Sequence, residues 1–252
     1  MQKAKKNNPN LKEERKLWQR GYKFVVGLDE VGRGPLAGPV CAAAVCFFSK
    51  AGFVIPARFA KASARRAKAG IQNFKSGSRI PEVNASHYNG AGKCGMTLKD
   101  IRDSKKLTPR QREKWYEILT NHPTIKWGVG LVSEKIIDKI NILEATKLAM
   151  KKAIEALEYE ADYLLLDGNF ILEDISINQK AIIRGDERII SCAAASIIAK
   201  VTRDRLMERY HKKFPLYGFD RHKGYGTKRH FEEIQKHGPC KIHRLSFAPF
   251  VN

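Results

Sequence analysis

Four carboxylates stand where apolar runs give out. Asp29 and Glu30 follow residues 24–28, Asp167 follows 163–166, and Asp186 follows 180–184 across a single glycine. Each apolar run reads as a strand. Asp-Gly at 167–168 and Gly-Asp at 185–186 are also ordinary turn signals, so a bend in the chain explains any one of them. Three strand ends carrying acids invite a further reading, because a mostly parallel sheet gathers its strand ends along one edge. Carboxylates gathered there would repel one another and raise each other's pKa. A divalent cation removes that repulsion, and Mg²⁺ prefers carboxylate oxygen. Two such ions about 4 Å apart suit in-line attack at phosphorus, one activating water and the other stabilising the leaving oxygen.

The charge balance names a partner for that chemistry. The 252 residues hold 47 Lys and Arg against 26 Asp and Glu, a net charge of +21. The excess is localised. Residues 1–20 carry 7 bases and 2 acids, residues 49–95 carry 9 and 1, and residues 200–252 carry 13 and 5, while the remaining blocks are neutral. Basic flanks around neutral blocks that hold the acids point to a polyanion, nucleic acid above all. Together they suggest a metal-dependent nuclease or a related phosphoryl-transfer enzyme. Solvated basic faces on a binding protein are the alternative.

Other classes recede. Hydrophobic residues make up 43% of the chain, against a largely disordered protein. Mean hydropathy is −0.42 and no uncharged apolar run approaches the ~20 residues of a spanning helix. Residues 1–20 lack the apolar core of a secretory signal, and a cytoplasmic protein is expected. The five cysteines include no C-x-x-C, and Cys41 and Cys46, in an apolar run, read as core thiols. Five of seven histidines fall between His211 and His243 without zinc-site spacing, and read as surface or phosphate-neighbouring groups.

The elements that must position the acids follow from periodicity and turn chemistry. Residues 24–28 and 40–48 read as strands joined by a Gly/Pro-rich turn at 32–39. Thr108, Pro109 and Gln111 form a capping-box helix start, followed by a strand over 124–132. Asn141 with Glu144 marks another helix start, with Met150, Ala153, Ile154 and Leu157 on one face. Strands at 163–166 and 180–184 and a long helix over about 189–214 complete an α/β pattern. Residues 49–95 read as a basic inserted surface loop with one helical stretch around 57–69.

Two phosphate-loop patterns fail. Gly32 through Ala37 matches G-x-G-x-x-G/A, but a strand follows rather than a helix, and no acid occurs between Glu30 and Glu82. Gly92-Lys93 lacks both the leading glycine and the Ser or Thr of a P-loop.

The run Asp29-Glu30-Val31-Gly32-Arg33-Gly34-Pro35-Leu36-Ala37-Gly38-Pro39-Val40 strongly resembles the ribonuclease HII (type 2 ribonuclease H) family. Further family-like blocks follow in order: Arg102 to Leu107, Asp167-Gly168-Asn169, Gly185-Asp186, Ser191 to Asp204, and Gly224-Tyr225-Gly226-Thr227. The resemblance covers about 21–48 and 96–250. It implies a ribonuclease H-like fold, with a mixed five-stranded sheet flanked by helices and a helical C-terminal part. It implies endonucleolytic cleavage of RNA in RNA–DNA hybrids and incision 5′ of ribonucleotides embedded in duplex DNA. Mg²⁺ or Mn²⁺ would serve, leaving 3′-hydroxyl and 5′-phosphate ends.

By position, the resemblance makes Asp29, Glu30, Asp167 and Asp186 the metal-binding and catalytic carboxylates. Asp204, mid-helix, would be structural. Gly32, Arg33 and Gly34 would read the ribonucleotide: glycine lets the backbone approach a 2′-hydroxyl, and Arg33 suits a phosphate. Tyr225 would pack on the neighbouring deoxyribose, and Lys105 and Lys106 would contact phosphates.

The expected organisation is a basic lead-in at 1–20, a catalytic domain at 21–214 with the 49–95 insert, and a substrate-binding tail at 215–252 packed on the same domain. The insert departs from the family pattern. No clear sliding-clamp-binding peptide ends the chain, and a monomer is expected. The rivals are another metal nuclease of the same fold acting on DNA, and a non-catalytic nucleic-acid-binding protein.

Overall fold

Strand β2 (Val40–Phe47) is buried along its whole length, which is why its sequence is continuously apolar rather than alternating. It belongs to a computed structural model that describes residues 8–47, 101–157 and 159–251. The 49–95 segment, with the helix expected around 57–69, lies outside the described residues. Around β2 stand β1 (Val25–Val31), β3 (Ile125–Val132), β4 (Tyr163–Asp167) and β5 (Asn178–Ile182), in the sheet order β3-β2-β1-β4-β5. The tight 32–39 turn makes β1 and β2 antiparallel, and β3 pairs antiparallel with β2. Strand β4 runs parallel to both β1 and β5. The expected mixed five-stranded sheet is therefore present, with its parallel half confined to β1, β4 and β5.

Among the described residues the helices are α1 (Lys12–Gln19), α2 (Pro109–Asn121), α3 (Glu134–Glu155), α4 (Ile190–Lys213), α5 (Phe219–His222) and α6 (Lys228–His237). On one sheet face, Ala149, Met150 and Ala153 of α3 pack on Val26, Leu28, Ala42 and Ala44. On the other, Ala193, Ala194 and Ile197 of α4 pack on Cys41, Ala43 and Val45, with Trp115 and Leu119 of α2 alongside. The small residues of α4 let it lie close to the sheet. Gly27 is the matching feature on β1, where an added Cβ would fall 2.4 Å from the Ser191 carbonyl carbon.

Local signals explain the boundaries. The Thr108–Gln111 capping box opens α2 as expected. Helix α3 begins earlier than Asn141, which the sequence marks as a start. Asn141 sits inside it at φ 64° and ψ 169°, and its Oδ1 accepts from the N–H groups of Leu143 and Glu144. It is an N-cap after all, with a preceding helical segment joined to it across a kink.

Three expectations shift. Strand β1 extends to Val31, so Asp29 and Glu30 lie within it, opposite Ala43 and Ala42 of β2. Strand β5 ends at Ile182 rather than 184, and Arg184, at φ 56°, turns the chain. Asp186 consequently sits on a 3-10 turn (Gly185–Glu187) leading into α4, not on the strand end itself. The helix-prone lead-in packs on the sheet domain: Leu17 is buried, and the buried Glu14 accepts from the N–H and hydroxyl of Ser191.

Candidate active site

Strand alternation decides which acids meet. Along β1, Val26 and Leu28 face α3, while Gly27 lies against Ser191 of α4. Asp29 therefore faces α4 and Glu30 the opposite side. Along β4, Leu164 and Leu166 face α3, which places Asp167 on the α4 face too. Asp186 arrives there from the turn before α4. Asp29, Asp167 and Asp186 each present an oxygen within 4.8 Å of the others.

Glu30 stands beside this trio rather than in it. Its Oε1 meets Arg33 Nη1 at 3.3 Å, and its buried Oε2 has no hydrogen-bond partner. The three clustered carboxylate oxygens form a hard, anionic donor set, which fits a divalent cation.

The electrostatics agree. Burial, then Glu30 and Asp167, push Asp29 well above the usual carboxylate range. Burial and Asp167 push Asp186 up to about 7. Burial also raises Glu30, against the pull of Arg33, and raises Asp167 despite the N–H of Gly185 donating to it at 2.7 Å. Acids that resist ionising together suit a cation in place of protons.

The expected lysines divide. Lys105, largely exposed, brings its ammonium to 4.0 Å from Asp186 Oδ2. Burial lowers its pKa, but Asp186, Asp103, Asp29 and Asp167 together outweigh that and raise it. Lys106 instead pairs with Glu187 at 2.9 Å and with Asp103 at 3.9 Å. Asp204 pairs with Lys200 at 2.8 Å and lies outside the acid cluster, in keeping with a structural role.

Sequence reasoning missed the groups behind the acids. Ser196 of α4 stands beside Asp29 and favours its charged form, and its hydroxyl lies 2.8 Å from that of Ser104. Ser196 interrupts an apolar helical run, which is a readable signal; Ser104 carries none. Arg203 and Arg244, both fully buried, give no sign of it in the sequence.

The 32–34 turn and Tyr225 do come together. A Cβ on Gly34 would lie 3.9 Å from Tyr225 Cε1, and Tyr225 is 41% exposed, available for a flat apolar partner. Gly32 adopts φ 91°, and a Cβ there would fall 2.2 Å from Arg203 Nε, so no other residue fits.

Behind Tyr225, histidines expected at the surface prove otherwise: His230 and His243 are buried. Their partners set the tautomers. Cys240 N–H donates to His243 Nδ1 at 2.8 Å, so His243 Nε2–H donates to His230 Nε2 at 3.1 Å. His230 Nδ1–H then donates to the Tyr225 carbonyl at 2.9 Å. Burial pushes both imidazoles down to about 4, keeping them neutral. Edge-to-face contacts of His230 with Phe219 and of His243 with Tyr217 supply the apolar surroundings that a charged surface residue would not tolerate. Cys41 and Cys46 are core thiols as expected, pushed up to about 12 by burial.

A ribonuclease H-like sheet with a carboxylate trio at its parallel edge defines a nuclease of the ribonuclease H class. Comparison with known proteins agrees. The family model "Ribonuclease HII" matches residues 86–250. The ribonuclease HII of Acetivibrio thermocellus is 44% identical over 235 residues, 93% of this chain and 73% of that protein. That of Caldicellulosiruptor bescii is 44% identical over 234 residues, covering 93% and 91%.

Among solved structures, ribonuclease H2 from Pyrococcus horikoshii has a TM-score of 0.59 at 24% identity, covering 90% of this chain and 95% of that one. A ribonuclease HIII solved with Mn²⁺ has a TM-score of 0.56 at 17% identity, covering 91% and 68%. The chain belongs to the ribonuclease HII family. It is an endoribonuclease that acts on RNA–DNA hybrids, and its family depends on metal. No helix among the described residues is long and apolar enough to cross a membrane.

Proposed function

We propose that this nuclease cleaves the RNA strand of hybrids and incises 5′ of single ribonucleotides embedded in duplex DNA, leaving 3′-hydroxyl and 5′-phosphate ends. The observation that carries the reading is the trio of Asp29, Asp167 and Asp186 converging within 4.8 Å on the edge from which the Gly32–Gly34 turn departs. Asp29, Glu30, Asp167 and Asp186 would hold Mg²⁺ or Mn²⁺. Two bound ions would supply a polarised water and charge stabilisation at the leaving oxygen.

The chain's own groups do the rest. Gly185 N–H orients Asp167, and Ser196 lies beside Asp29 and favours its charged form. Among the described residues, the N–H groups of Gly32, Arg33 and Gly34 donate to no protein acceptor, which leaves them for a 2′-hydroxyl. Arg33, released from Glu30, takes a phosphate, as do Lys105 and Lys106. Tyr225 packs on the deoxyribose beside the ribonucleotide.

The chain is assigned as a cytoplasmic monomer, with residues 21–214 catalytic, 215–252 a substrate-binding tail and 1–20 a basic lead-in. Free buried thiols at Cys41, Cys46 and Cys192 support a reducing compartment. Exposed large apolar residues such as Leu143, Ile171 and Leu216 fall on separate segments, which supports a monomer.

The test compares a duplex holding one ribonucleotide, a long hybrid and an all-DNA duplex, each with Mg²⁺, Mn²⁺ or chelator. Incision at the ribonucleotide only with metal is expected. Cleavage of the all-DNA duplex would overturn the assignment.

A further inference from the structure

The turn that would read the ribonucleotide is held from inside by two buried arginines that form no salt bridge with any carboxylate among the described residues. Arg203 donates from Nε to Pro39 O at 2.9 Å, from Nη2 to Ala37 O at 3.1 Å and from Nη1 to Lys223 O at 2.9 Å. Arg244 donates from Nε to Gly38 O at 2.9 Å, from Nη1 to Arg33 O at 2.8 Å and from Nη2 to Gly32 O at 2.6 Å. The backbone N–H of Arg244 donates to Leu36 O at 2.8 Å. Six carbonyls of the 32–39 turn thus point inward.

A peptide whose carbonyl points inward turns the N–H of the following residue outward. Holding the carbonyls of Gly32 and Arg33 therefore aims the N–H groups of Arg33 and Gly34 away from the core. Arg203 also reaches Lys223 O, and its guanidinium lies 6.0 Å from the Tyr225 ring centre, so one side chain ties the turn to the segment carrying Tyr225.

We propose that Arg203 and Arg244 are positioning residues for ribonucleotide discrimination, and that their guanidinium forks fix the outward N–H groups of the 32–34 turn and its register with Tyr225. The proposal rests on the reading of that turn as the 2′-hydroxyl sensor. Burying two cations with only carbonyl partners is costly, and an apolar core would be a cheaper way to hold a turn. Burial and Arg203 lower Arg244 only to about 9, so it stays charged at neutral pH. Lysine cannot replace either residue, because one ammonium cannot span three carbonyls in a plane.

The test measures affinity in the full-length Asp167→Asn protein with Mg²⁺, for a duplex containing one ribonucleotide and for the same duplex in all-DNA form. The ratio of the two affinities reports discrimination. Arg203→Lys and Arg244→Lys are each expected to lower it at least tenfold, with the loss falling on the ribonucleotide duplex. In Arg244→Ala, added methylguanidinium is expected to restore part of the ratio. A ratio within threefold of the parent in both lysine variants, or an equal loss on both duplexes, would overturn the proposal. A parent protein with a ratio of one would instead overturn the 2′-hydroxyl reading, before any arginine is changed.

Discussion

Asp29 is the residue on which the site turns. It sits mid-strand, buried, with Asp167 and Asp186 within 4.8 Å and Ser196 beside it. Replacing Asp29 or Asp167 by Asn should lower hybrid cleavage by roughly 10³-fold or more, with hybrid binding retained in a mobility-shift assay. Full activity in either variant would remove the acids from the mechanism.

The same residues predict a pH effect. Their folded pKa values are raised above the unfolded ones, so without metal the folded state keeps protons that the unfolded chain has released. For Asp186 that window runs from 3.8 to about 7, and its contribution to metal-free stability falls as pH rises through it. Cations compete with those protons. The rise in melting temperature caused by Mg²⁺ should therefore be larger at pH 8 than at pH 6, and calorimetry at both values decides it.

At the scale of elements, the site depends on how closely α4 lies on β1. Gly27 permits that approach. A methyl group there meets backbone rather than a flexible side-chain end, so Gly27→Ala must displace α4 or β1. The expected cost is about 3 kcal/mol or more, read by denaturant unfolding, together with impaired cleavage because Ser196 and Asp186 both ride on α4 or its leading turn. A wild-type unfolding midpoint would show the packing there to be slack. The kink in α3 is a separate case. Asn141 is a cap whose φ of 64° an alanine would resist, and it bears on stability rather than chemistry.

At the scale of the molecule, the C-terminal segment is bound to the sheet domain through polar groups in its interior. His230 and His243 have folded pKa values of about 4 against an ordinary 6.5. The unfolded chain takes up protons first, so their contribution to stability is full above about 6.5 and declines as pH falls towards 4. This opposes the acid cluster in sign, so a global melt mixes the two effects. Imidazole NMR shifts separate them: both rings should stay in the neutral form until about pH 4, and midpoints near 6.5 would contradict the buried relay.

The basic 49–95 segment holds 9 bases and 1 acid. If it adds affinity for nucleic acid, its deletion should weaken hybrid binding and flatten the salt dependence by roughly one unit of slope for each phosphate it had neutralised. An unchanged affinity and slope would free it of that role.

The amino-acid sequence determined what short range controls. Apolar runs marked β1 to β4 and only the second half of β5, the Thr108 capping box marked α2, Asn141 marked a helix start, and the acids after apolar runs marked the candidate site. These depend on neighbouring residues, so they are legible in a string. Only the tertiary structure decided which acids converge. The pleat sends Asp29 and Glu30 to opposite faces, and the turn after β5 delivers Asp186 from the head of α4. It also decided the roles of Arg203, Arg244, His230 and His243. In sequence Arg203 looks like one more base on a long helix, and the other three like part of a basic tail. The turn carbonyls that the two arginines hold lie far away along the chain, up to 212 residues in the case of Arg244 and Gly32, and a hydrogen bond across that span exists only once the fold has closed.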